Sequence, residues 1–395
     1  MPADAQPTTD PATTAATRAA LRAEMPVAER WAYFDHAAVA PLSAPAARAI
    51  ADWSSQAAQQ GDTVWLEWAA RVEATRKTAA RLVGAGADEI ALLSNTTQGI
   101  NLVAEGVDWR EGDNVVTLAD EFPSNLLPWL NQQPKGVEVR RVATDRGRLD
   151  LDDLRKACDN RTRVVSVSWV GYSTGYRQDI DAIAEIAHDA GALFFLDAIQ
   201  GLGVLPLSVR DTPIDFLAAD GHKWMLGPEG AAVAYFRKEN LDRLHATGVG
   251  WNSVTPQADF SQITELVLRP SATRFEGGSA NMPGQHGLGA SLELLTREPT
   301  ARTAAAILET TDLACERLRE IGAELATHRS AEPSGHDPRS GIVAFTLPGR
   351  EPTEVRKRCL AAGVALSARS GRLRLSAHAY NTADDVDWLI EALRG

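Results

Sequence analysis

Residues 216–228 read FLAADGHKWMLGP and place Lys223 just after a short apolar run. That run, Phe216–Ala219, has the length and composition of a buried β-strand, and a second run, Ala231–Phe236, follows after a glycine-containing loop. A lysine held between two buried strands is shielded from water, which lowers its pKa and makes its amine a nucleophile toward carbonyl groups. An exposed loop lysine explains the same residues equally well when they are taken alone.

Seven such apolar runs occur along the chain, and helical patterns lie between several of them. This alternation predicts an α/β domain in which helices flank a mostly parallel, buried sheet. The last run follows its predecessor so closely that one antiparallel strand is expected. The runs are Ile90–Leu93, Val115–Leu118, Val137–Val142, Val164–Val170, Ala192–Leu196, Phe216–Ala219 and Ala231–Phe236.

Three segments are predicted, with bounds 1–30, 31–285 and 286–395. The first is rich in Ala, Thr and Pro and is expected to be disordered or arm-like. The second carries the alternation of strands and helices and is the large domain. The third changes to a shorter α+β pattern and is a smaller C-terminal domain. Two domains agree with a length of 395 residues, which exceeds what one hydrophobic core usually serves.

The overall composition argues against several classes of function. Lys and Arg total 40 while Asp and Glu total 52, and the net charge of −12 disfavours a nucleic-acid partner or an anionic membrane surface. No apolar run reaches the roughly 18 residues of a membrane span. No metal site is predicted, and no glycine-rich nucleotide-binding turn follows the first strand. The cysteines form no CxxC pair, which favours a reducing, cytoplasmic location; they are Cys158, Cys315 and Cys359.

Two further strand ends carry polar residues, and ligands of open α/β sheets bind at such ends. Residues 94–99, SNTTQG, open a helix whose free N–H groups and hydroxyls favour a phosphate, although an ordinary helix cap uses the same residue types. Asp197 directly follows an apolar run and needs a cationic or donor partner if it is buried. The pyridinium N–H of pyridoxal 5′-phosphate (PLP) would be such a partner. A capping or loop carboxylate is the alternative interpretation.

The three strand ends belong to a larger set of motifs that follow one another along the chain. They are YFDHAA (33–38), NTTQGIN (95–101), Asp197 with Gln200, GHK (221–223), FEGGS (275–279) and RLSAHAYNT (374–382). Together they resemble class V aminotransferases, the family of cysteine desulfurases, selenocysteine lyases and isopenicillin N epimerase-like proteins. The resemblance covers Trp31 to the end of the chain. It implies a fold-type I PLP-dependent transferase, with a mostly parallel seven-stranded sheet in the large domain and a smaller C-terminal α+β domain.

The resemblance also implies which residues would contact the PLP ring. Lys223 would form the internal aldimine. Asp197 would pair with the pyridine nitrogen and keep it protonated, which makes the ring an electron sink. Gln200 would donate to the phenolic oxygen, and Tyr172 stands where desulfurases often have an asparagine near that oxygen. Phe122 stands where desulfurases commonly have a histidine, and it would stack on the ring.

The phosphate of PLP would be held at the helix start by Thr96 and Thr97, together with His222. Ser279 would reach the phosphate of the neighbouring chain, which implies a homodimer with shared active sites. Asp220 departs from the family pattern, because many relatives have a phosphate-binding serine there. Its carboxylate would repel the phosphate unless it is turned away or neutralised.

An α-amino acid is the substrate that the resemblance implies. Arg374 would clamp its carboxylate as a bidentate fork, and Lys223 would take the α-proton. Arg369 and His36 are further candidates for substrate binding, and Trp251 and Arg274 are candidates for lining the pocket. Epimerisation would need a second acid or base, for which the candidates are Tyr172, His36 and His378.

One departure bears on the reaction. Persulfide-forming desulfurases need a mobile cysteine before the C-terminal arginine, and residues 367–374, SARSGRLR, contain none. The three cysteines are expected to be buried apolar residues. An isopenicillin N epimerase-like or C–S/C–Se lyase-like reaction is therefore expected. A cysteine desulfurase, an aminotransferase and a catalytically silent PLP-fold binding protein are the alternatives.

Overall fold

The computed structural model describes residues 11–255, 261 and 263–395. Among these residues the helices are α1 (Pro11–Arg22), α2 (Ala44–Gln60), α3 (Trp65–Val83), α4 (Thr96–Gly106), α5 (Leu127–Leu130), α6 (Leu151–Ala157), α7 (Ile180–Asp189), α8 (Met282–Leu295), α9 (Thr300–Glu320), α10 (Pro352–Ala361) and α11 (Ala383–Arg394). None of these helices is long and apolar enough to cross a membrane. The strands are β1 (Ala32–Tyr33), β2 (Ile90–Leu93), β3 (Asn114–Leu118), β4 (Glu138–Val142), β5 (Thr144–Asp145), β6 (Arg148–Leu149), β7 (Thr162–Ser168), β8 (Leu193–Asp197), β9 (Phe216–Asp220), β10 (Ala232–Phe236), β11 (Glu324–Leu325), β12 (Ile342–Thr346), β13 (Val364–Ala365), β14 (Ser367–Arg369) and β15 (Arg372–Ser376).

The centre of the fold is a seven-stranded sheet with the order β2-β10-β9-β8-β7-β3-β4. β10 runs antiparallel to both of its neighbours, and the other pairs are parallel. The central strands are apolar throughout because both faces of the sheet are covered. In β8, Phe194 and Leu196 enter the core on one face, and Leu193 and Phe195 enter the core on the other. The predicted mostly parallel seven-stranded sheet with one antiparallel strand is confirmed.

A second, four-stranded antiparallel sheet has the order β11-β12-β15-β14. It shares an apolar core with α9, α10 and α11, to which Phe345, Leu375 and Leu389 belong. The boundary predicted after residue 285 falls inside α8, and α8 packs on α2 and α3. The division into 31–285 and 286–395 stays a prediction.

Part of the N-terminal segment is ordered. α1 packs against α9, and Arg22 donates to Asp385 at 2.8 Å and to the carbonyl of Tyr380 at 3.2 Å. Residues 11–30 lie against the rest of the chain, and the interpretation of residues 1–30 as a disordered or arm-like segment stays a prediction. Residues 1–10 lie outside the described part of the chain.

A buried ion pair joins three segments at the edge of the sheet. Arg76 in α3 pairs with Glu276, and their side chains are only 4% and 11% exposed. Arg76 also donates to the carbonyl of Ile90 at 2.9 Å, while Glu276 accepts the N–H of Leu92 at 2.7 Å. The pair therefore ties α3 and β2 to the segment that precedes α8.

Removing one partner of this pair should cost far more stability than removing an exposed one. We expect Arg76→Ala to lower the free energy of unfolding by about 3–5 kcal/mol, because Glu276 would keep a buried, uncompensated charge. Arg155→Ala is the matched control, since Arg155 pairs with Asp152 at the surface and should lose about 1 kcal/mol or less. Urea titration measures both losses, and equal losses would contradict a structural role for the buried pair.

Candidate functional site

A cavity of about 700 Å³, including its open mouth, lies where β8 and β9 end. The parallel strands of the large sheet bring their carboxyl ends to this edge, as expected for an open α/β sheet. Eleven of the residues expected at the site line the cavity: Thr96, Thr97, Phe122, Tyr172, Asp197, Gln200, Asp220, His222, Lys223, Arg369 and Arg374. The sequence motifs therefore converge although they are far apart along the chain.

Lys223 lies in the loop between β9 and β10 and is 8% exposed. Burial lowers the pKa of its amine to about 8, the charge of Asp197 opposes this shift, and the charge of Arg374 adds to it. The loop turns tightly at Gly221, where a Cβ would lie 2.8 Å from the carbonyl oxygen of Ala231. Only glycine fits this close approach, and the turn delivers Lys223 into the cavity.

Asp197 is the last residue of β8 and is 2% exposed. Burial raises the pKa of its carboxyl to about 6, and the N–H of Ile199 and the charge of Lys223 oppose the shift. The N–H of Ile199 donates to Oδ1 at 3.1 Å. A buried carboxylate that lines a cavity has a strong preference for a cationic donor in that cavity.

The side-chain amide of Gln200 is held in one orientation. Its Oε1 accepts the indole N–H of Trp224 at 2.8 Å, and its Nε2 donates to the carbonyl of Ala37 at 3.1 Å. Since an indole N–H can only donate, the amide oxygen must face Trp224. The amide nitrogen has a second hydrogen that remains available to the cavity. Trp224 and Ala37 support Gln200, although the motifs assigned them no role.

The N-terminus of α4 forms another wall of the cavity. Asn95 caps the helix by accepting the N–H of Gln98 at 2.8 Å. Thr96 Oγ1 accepts the N–H of Asp220 at 2.9 Å, and Thr97 Oγ1 donates to Ser124 Oγ at 3.0 Å. Helix N–H groups and hydroxyls at this position provide the setting that binds phosphate in many proteins.

Asp220 directs its carboxylate at a neighbouring side chain. Oδ1 of Asp220 lies 2.9 Å from Nδ1 of His222. Neither atom has a hydrogen-bond partner among the described residues. The charge conflict between Asp220 and a phosphate stays a prediction.

Two aromatic rings stand beside the lysine. Phe122 and Tyr172 meet edge to face with ring centroids 5.2 Å apart. The amine of Lys223 lies 5.7 Å from the centroid of Phe122. Phe122 remains 39% exposed, which leaves part of the ring free to pack on a ligand.

Arg374 in β15 is 2% exposed and is held by groups from three segments. It donates to the carbonyl of Tyr172 at 2.6 Å and to Ser367 Oγ at 3.2 Å, and it pairs with Asp35 at 3.4 Å. Its Nε is buried and has no hydrogen-bond partner in the described part of the chain. An acceptor on a ligand in the cavity would satisfy this donor. The motif containing Asp35 was recognised in the sequence, but its contact with Arg374 was not predicted.

The structure does not bring every candidate to the cavity. His36 is fully buried behind the cavity. Its Nδ1 lies 2.9 Å from the carbonyl oxygen of Ser376, and its Nε2 lies 2.9 Å from the hydroxyl oxygen of Tyr380. Burial also keeps its pKa well below the usual value. His36 does not line the cavity, and its contact with substrate stays a prediction. His378 is buried in the same cluster, where its ring stacks on Trp224.

Ser279 and Arg274 lie outside the cavity of their own chain. Ser279 is exposed in a separate surface groove, beside Gly277 and Gly278. Arg274 is buried and pairs with Asp242 at 2.8 Å, and Trp251 is also absent from the cavity wall. The cross-chain role of Ser279 stays a prediction. Among the described residues no group of three His, Cys, Asp or Glu side chains is placed to hold a metal ion.

The family model for aminotransferase class V matches residues 32–389. The chain belongs to the aminotransferase class V family. A protein of Methanothermobacter thermautotrophicus described as a probable cysteine desulfurase is 30% identical over 394 residues, which cover 94% of this chain and 96% of that protein. The class V chain is thus similar to desulfurases over almost its whole length.

Solved structures agree with this assignment. The apo cysteine desulfurase from Thermococcus onnurineus NA1 superposes with a TM-score of 0.84 at 26% identity, covering 94% of this chain and 96% of that one. The cystine C–S lyase C-DES, solved with its reaction product cysteine persulfide, superposes with a TM-score of 0.86 at 21% identity, covering 93% of this chain and 98% of that one. At this identity the comparison shows that the two folds are alike. The class V chain is a fold-type I enzyme that depends on PLP and acts on an amino acid.

The cavity of this class V enzyme fits PLP. It presents a buried amine with a lowered pKa, a buried carboxylate, a helix N-terminus with hydroxyls and an aromatic ring. These groups match the aldehyde, the ring nitrogen, the phosphate and the ring face of the cofactor.

The lowered pKa of Lys223 predicts how its reactivity depends on pH. The amine reacts only when it is deprotonated, so competitive acetylation of the apoprotein should label Lys223 with a midpoint near pH 8. Asp197→Asn should move this midpoint lower, because the charge of Asp197 favours the protonated amine. Peptide mass spectrometry measures the labelling, with surface lysines such as Lys357 as the internal reference. A Lys223 midpoint near 10.5 would contradict the effect of burial.

Proposed function

We propose that this class V enzyme is a C–S or C–Se lyase that acts on a cysteine-type α-amino acid without forming a persulfide on the protein. The observation that carries the proposal is the composition of the cavity wall. It contains one amine base and two arginines, and no cysteine from the described residues. A lyase that releases the sulfur species directly needs no protein thiol.

The segment before Arg374 has no room for a mobile loop. β14 and β15 form a hairpin in which Arg369 pairs with Arg372. Ser370 and Gly371 alone make the turn, with φ of 49° and 72°. Two left-handed residues are the geometry of a tight two-residue hairpin, which holds the chain close to the sheet.

The three cysteines are unsuited to a sulfur relay. Cys315 in α9 and Cys359 in α10 belong to the core of the smaller sheet, and they are 2% and 0% exposed. Cys158 is half-buried in a surface groove between α6 and α7. Burial raises the pKa of Cys158 to about 11 and raises the other two as well, which disfavours the nucleophilic thiolate.

The residues at the inner end of the cavity would hold PLP. Lys223 would attach the aldehyde, Asp197 would pair with the ring nitrogen, and Gln200 would donate to the phenolic oxygen. Phe122 would pack on the ring. Bound PLP supplies an electron sink for the electron pair that remains when the Cα–H bond breaks. The phosphate would be bound by the start of α4 and the adjoining loop, through Thr96, Thr97 and His222.

Substrate binding and proton transfer are assigned to two side chains of the protein. Arg374 binds the α-carboxylate and fixes the amino acid in the cavity. Lys223 takes the proton from Cα, and its pKa of about 8 keeps a useful fraction of the amine neutral near neutral pH. The electron pair left on Cα would then form a Cα–Cβ double bond as the Cβ–S bond breaks, and the sulfur would leave as a thiol after taking the proton that Lys223 removed. Hydrolysis of the remaining fragment yields pyruvate and ammonia.

Epimerisation, as in the isopenicillin N epimerase-like branch, is the second candidate. It requires a proton donor on the opposite face of Cα, and Tyr172 is the one titratable side chain among the earlier candidates that lines the cavity. His36 and His378 are buried elsewhere. The similarity to cysteine desulfurases supports a third outcome, alanine formation with an external sulfur acceptor.

Product analysis separates these reactions. PLP-loaded protein in D2O is incubated with cysteine, cystine, selenocysteine and S-substituted cysteines, and proton NMR follows the products. We expect pyruvate, and we expect Lys223→Ala to form none. If deuterium enters Cα while the amino acid is not consumed, the protein is an epimerase and the lyase proposal is wrong. If alanine forms instead of pyruvate, the protein is a desulfurase.

The proposal also predicts that the cysteines are dispensable. Replacing Cys158, Cys315 and Cys359 together by Ser or Ala should leave the rate of pyruvate formation within about threefold, because none of them lines the cavity. Circular dichroism and thermal unfolding establish that the triple variant is folded. Loss of activity in a folded triple variant would restore the persulfide mechanism.

We also propose a cytoplasmic homodimer in which Ser279 completes the neighbouring site. Large apolar side chains remain exposed on one chain, among them Leu66 at 82%, Leu266 at 64% and Trp65 at 42%. Their burial against a second copy would remove this unfavourable exposure. Three free cysteines agree with a reducing compartment. Sedimentation equilibrium should give twice the chain mass of 42.5 kDa, and a monomer would contradict the shared site.

A further inference from the structure

Arg369 is a cation in the cavity wall without an acidic partner. It is the last residue of β14, it is exposed, and it lines the same cavity as Lys223 and Arg374. Among the described residues it makes no ion pair. Arg374 differs in this respect, because Asp35 lies 3.4 Å from it.

The hairpin directs Arg369 toward the side where Arg374 lies. Ser367 and Arg369 are two residues apart in β14, so their side chains emerge on the same face. Ser367 stands opposite Arg374 in the register, and its hydroxyl accepts from Arg374 at 3.2 Å. The backbone of Arg369 therefore lies roughly 7 Å from that of Ser367 along the strand. Its side chain emerges on the face where Arg374 would bind the α-carboxylate.

The other charges of the cavity leave Arg369 uncompensated. Asp220 is 2.9 Å from His222, and Asp197 is the partner for the ring nitrogen in the proposed site. The positive charge of Arg369 accordingly acts on its neighbours and disfavours the protonated forms of Lys223 and Arg374. A cation kept in a binding cavity without a counter-charge favours an anion from the ligand.

We propose that Arg369 binds a second anionic group, a carboxylate on the far side of the substrate's sulfur. The proposal rests on the function proposed above and narrows its substrate to cysteine S-conjugates that carry an acid at the distal end. Arg374 binds the α-carboxylate, and Arg369 binds the distal one through its planar guanidinium. A disulfide of two cysteines and a thioether with an acidic tail both belong to this class.

A pair of probes of nearly equal size tests the second anion site. S-carboxymethyl-L-cysteine carries the distal acid, and S-carbamoylmethyl-L-cysteine replaces it by a neutral amide. The contact with Arg374 is common to both and cancels in the comparison. With PLP-loaded protein, we expect kcat/KM for pyruvate formation and the apparent Kd from the cofactor absorbance to favour the acid by about tenfold or more.

Variants on one hairpin assign this preference to a residue. Arg369→Gln should abolish the preference for the acid over the amide, measured as the ratio of the two probes, while Arg369→Lys should retain part of this preference. Arg372→Gln is the matched control, because Arg372 faces Arg369 across the hairpin but does not line the cavity. It should behave as the unmodified enzyme with both probes.

The outcomes separate this inference from the proposed function. Three outcomes would overturn the second anion site. They are no preference for the acid in binding, no measurable binding of either probe, and an equal loss of activity with both probes in Arg369→Gln. If the probes are cleaved without a preference, the lyase stands and the anion site falls. If binding discriminates but no pyruvate forms from any substrate, the anion site stands and the lyase falls.

Discussion

Asp197 ends β8, and Lys223 lies in the loop that follows the adjacent parallel strand β9. Both side chains are largely cut off from water. Loss of hydration disfavours the charged form of each group, so the pKa of Asp197 rises to about 6 and that of Lys223 falls to about 8. Their mutual attraction limits both shifts. The site therefore holds an acid and an amine whose protons are labile near neutral pH.

The rest of the site supports this pair from outside the sheet. Gly221 permits the sharp turn that returns Lys223 to the cavity, and Trp224 orients Gln200 beside it. The start of α4 supplies the polar wall, and Asp220 is directed at His222. The contacts of Thr96 and Gln200 give polar groups hydrogen-bond partners inside an apolar fold, which favours the burial of the pair.

The substrate end of the cavity has a different origin. Arg374 comes from the smaller sheet, Asp35 from the segment after β1, and the carbonyl of Tyr172 from the loop after β7. The short hairpin between β14 and β15 contains no cysteine, and its residue Arg369 lines the cavity.

Local sequence was sufficient for the large sheet, since buried parallel strands appear as apolar runs and each run was found within a few residues of its strand. Asp197 directly follows such a run and Lys223 follows another after three residues, which is why the sequence singled them out. Their roles in the site stay predictions. Local sequence was insufficient for the side chains that act between distant segments. His36 was expected to contact the substrate. In the structure its neighbours Ala37 and Ala38 line the cavity and His36 does not.

The sequence alone thus predicted the α/β fold class and the polar residues at strand ends, because these depend on short-range patterns of burial and charge. The cofactor was implied by the resemblance of the motifs to class V aminotransferases. Tertiary structure decided which polar side chains meet. It paired Asp35 with Arg374, placed His36 and His378 in a sealed cluster, and left Arg369 in the cavity wall. The physical reason is that pairing and desolvation of charges depend on distances between segments that are hundreds of residues apart, which no local pattern records.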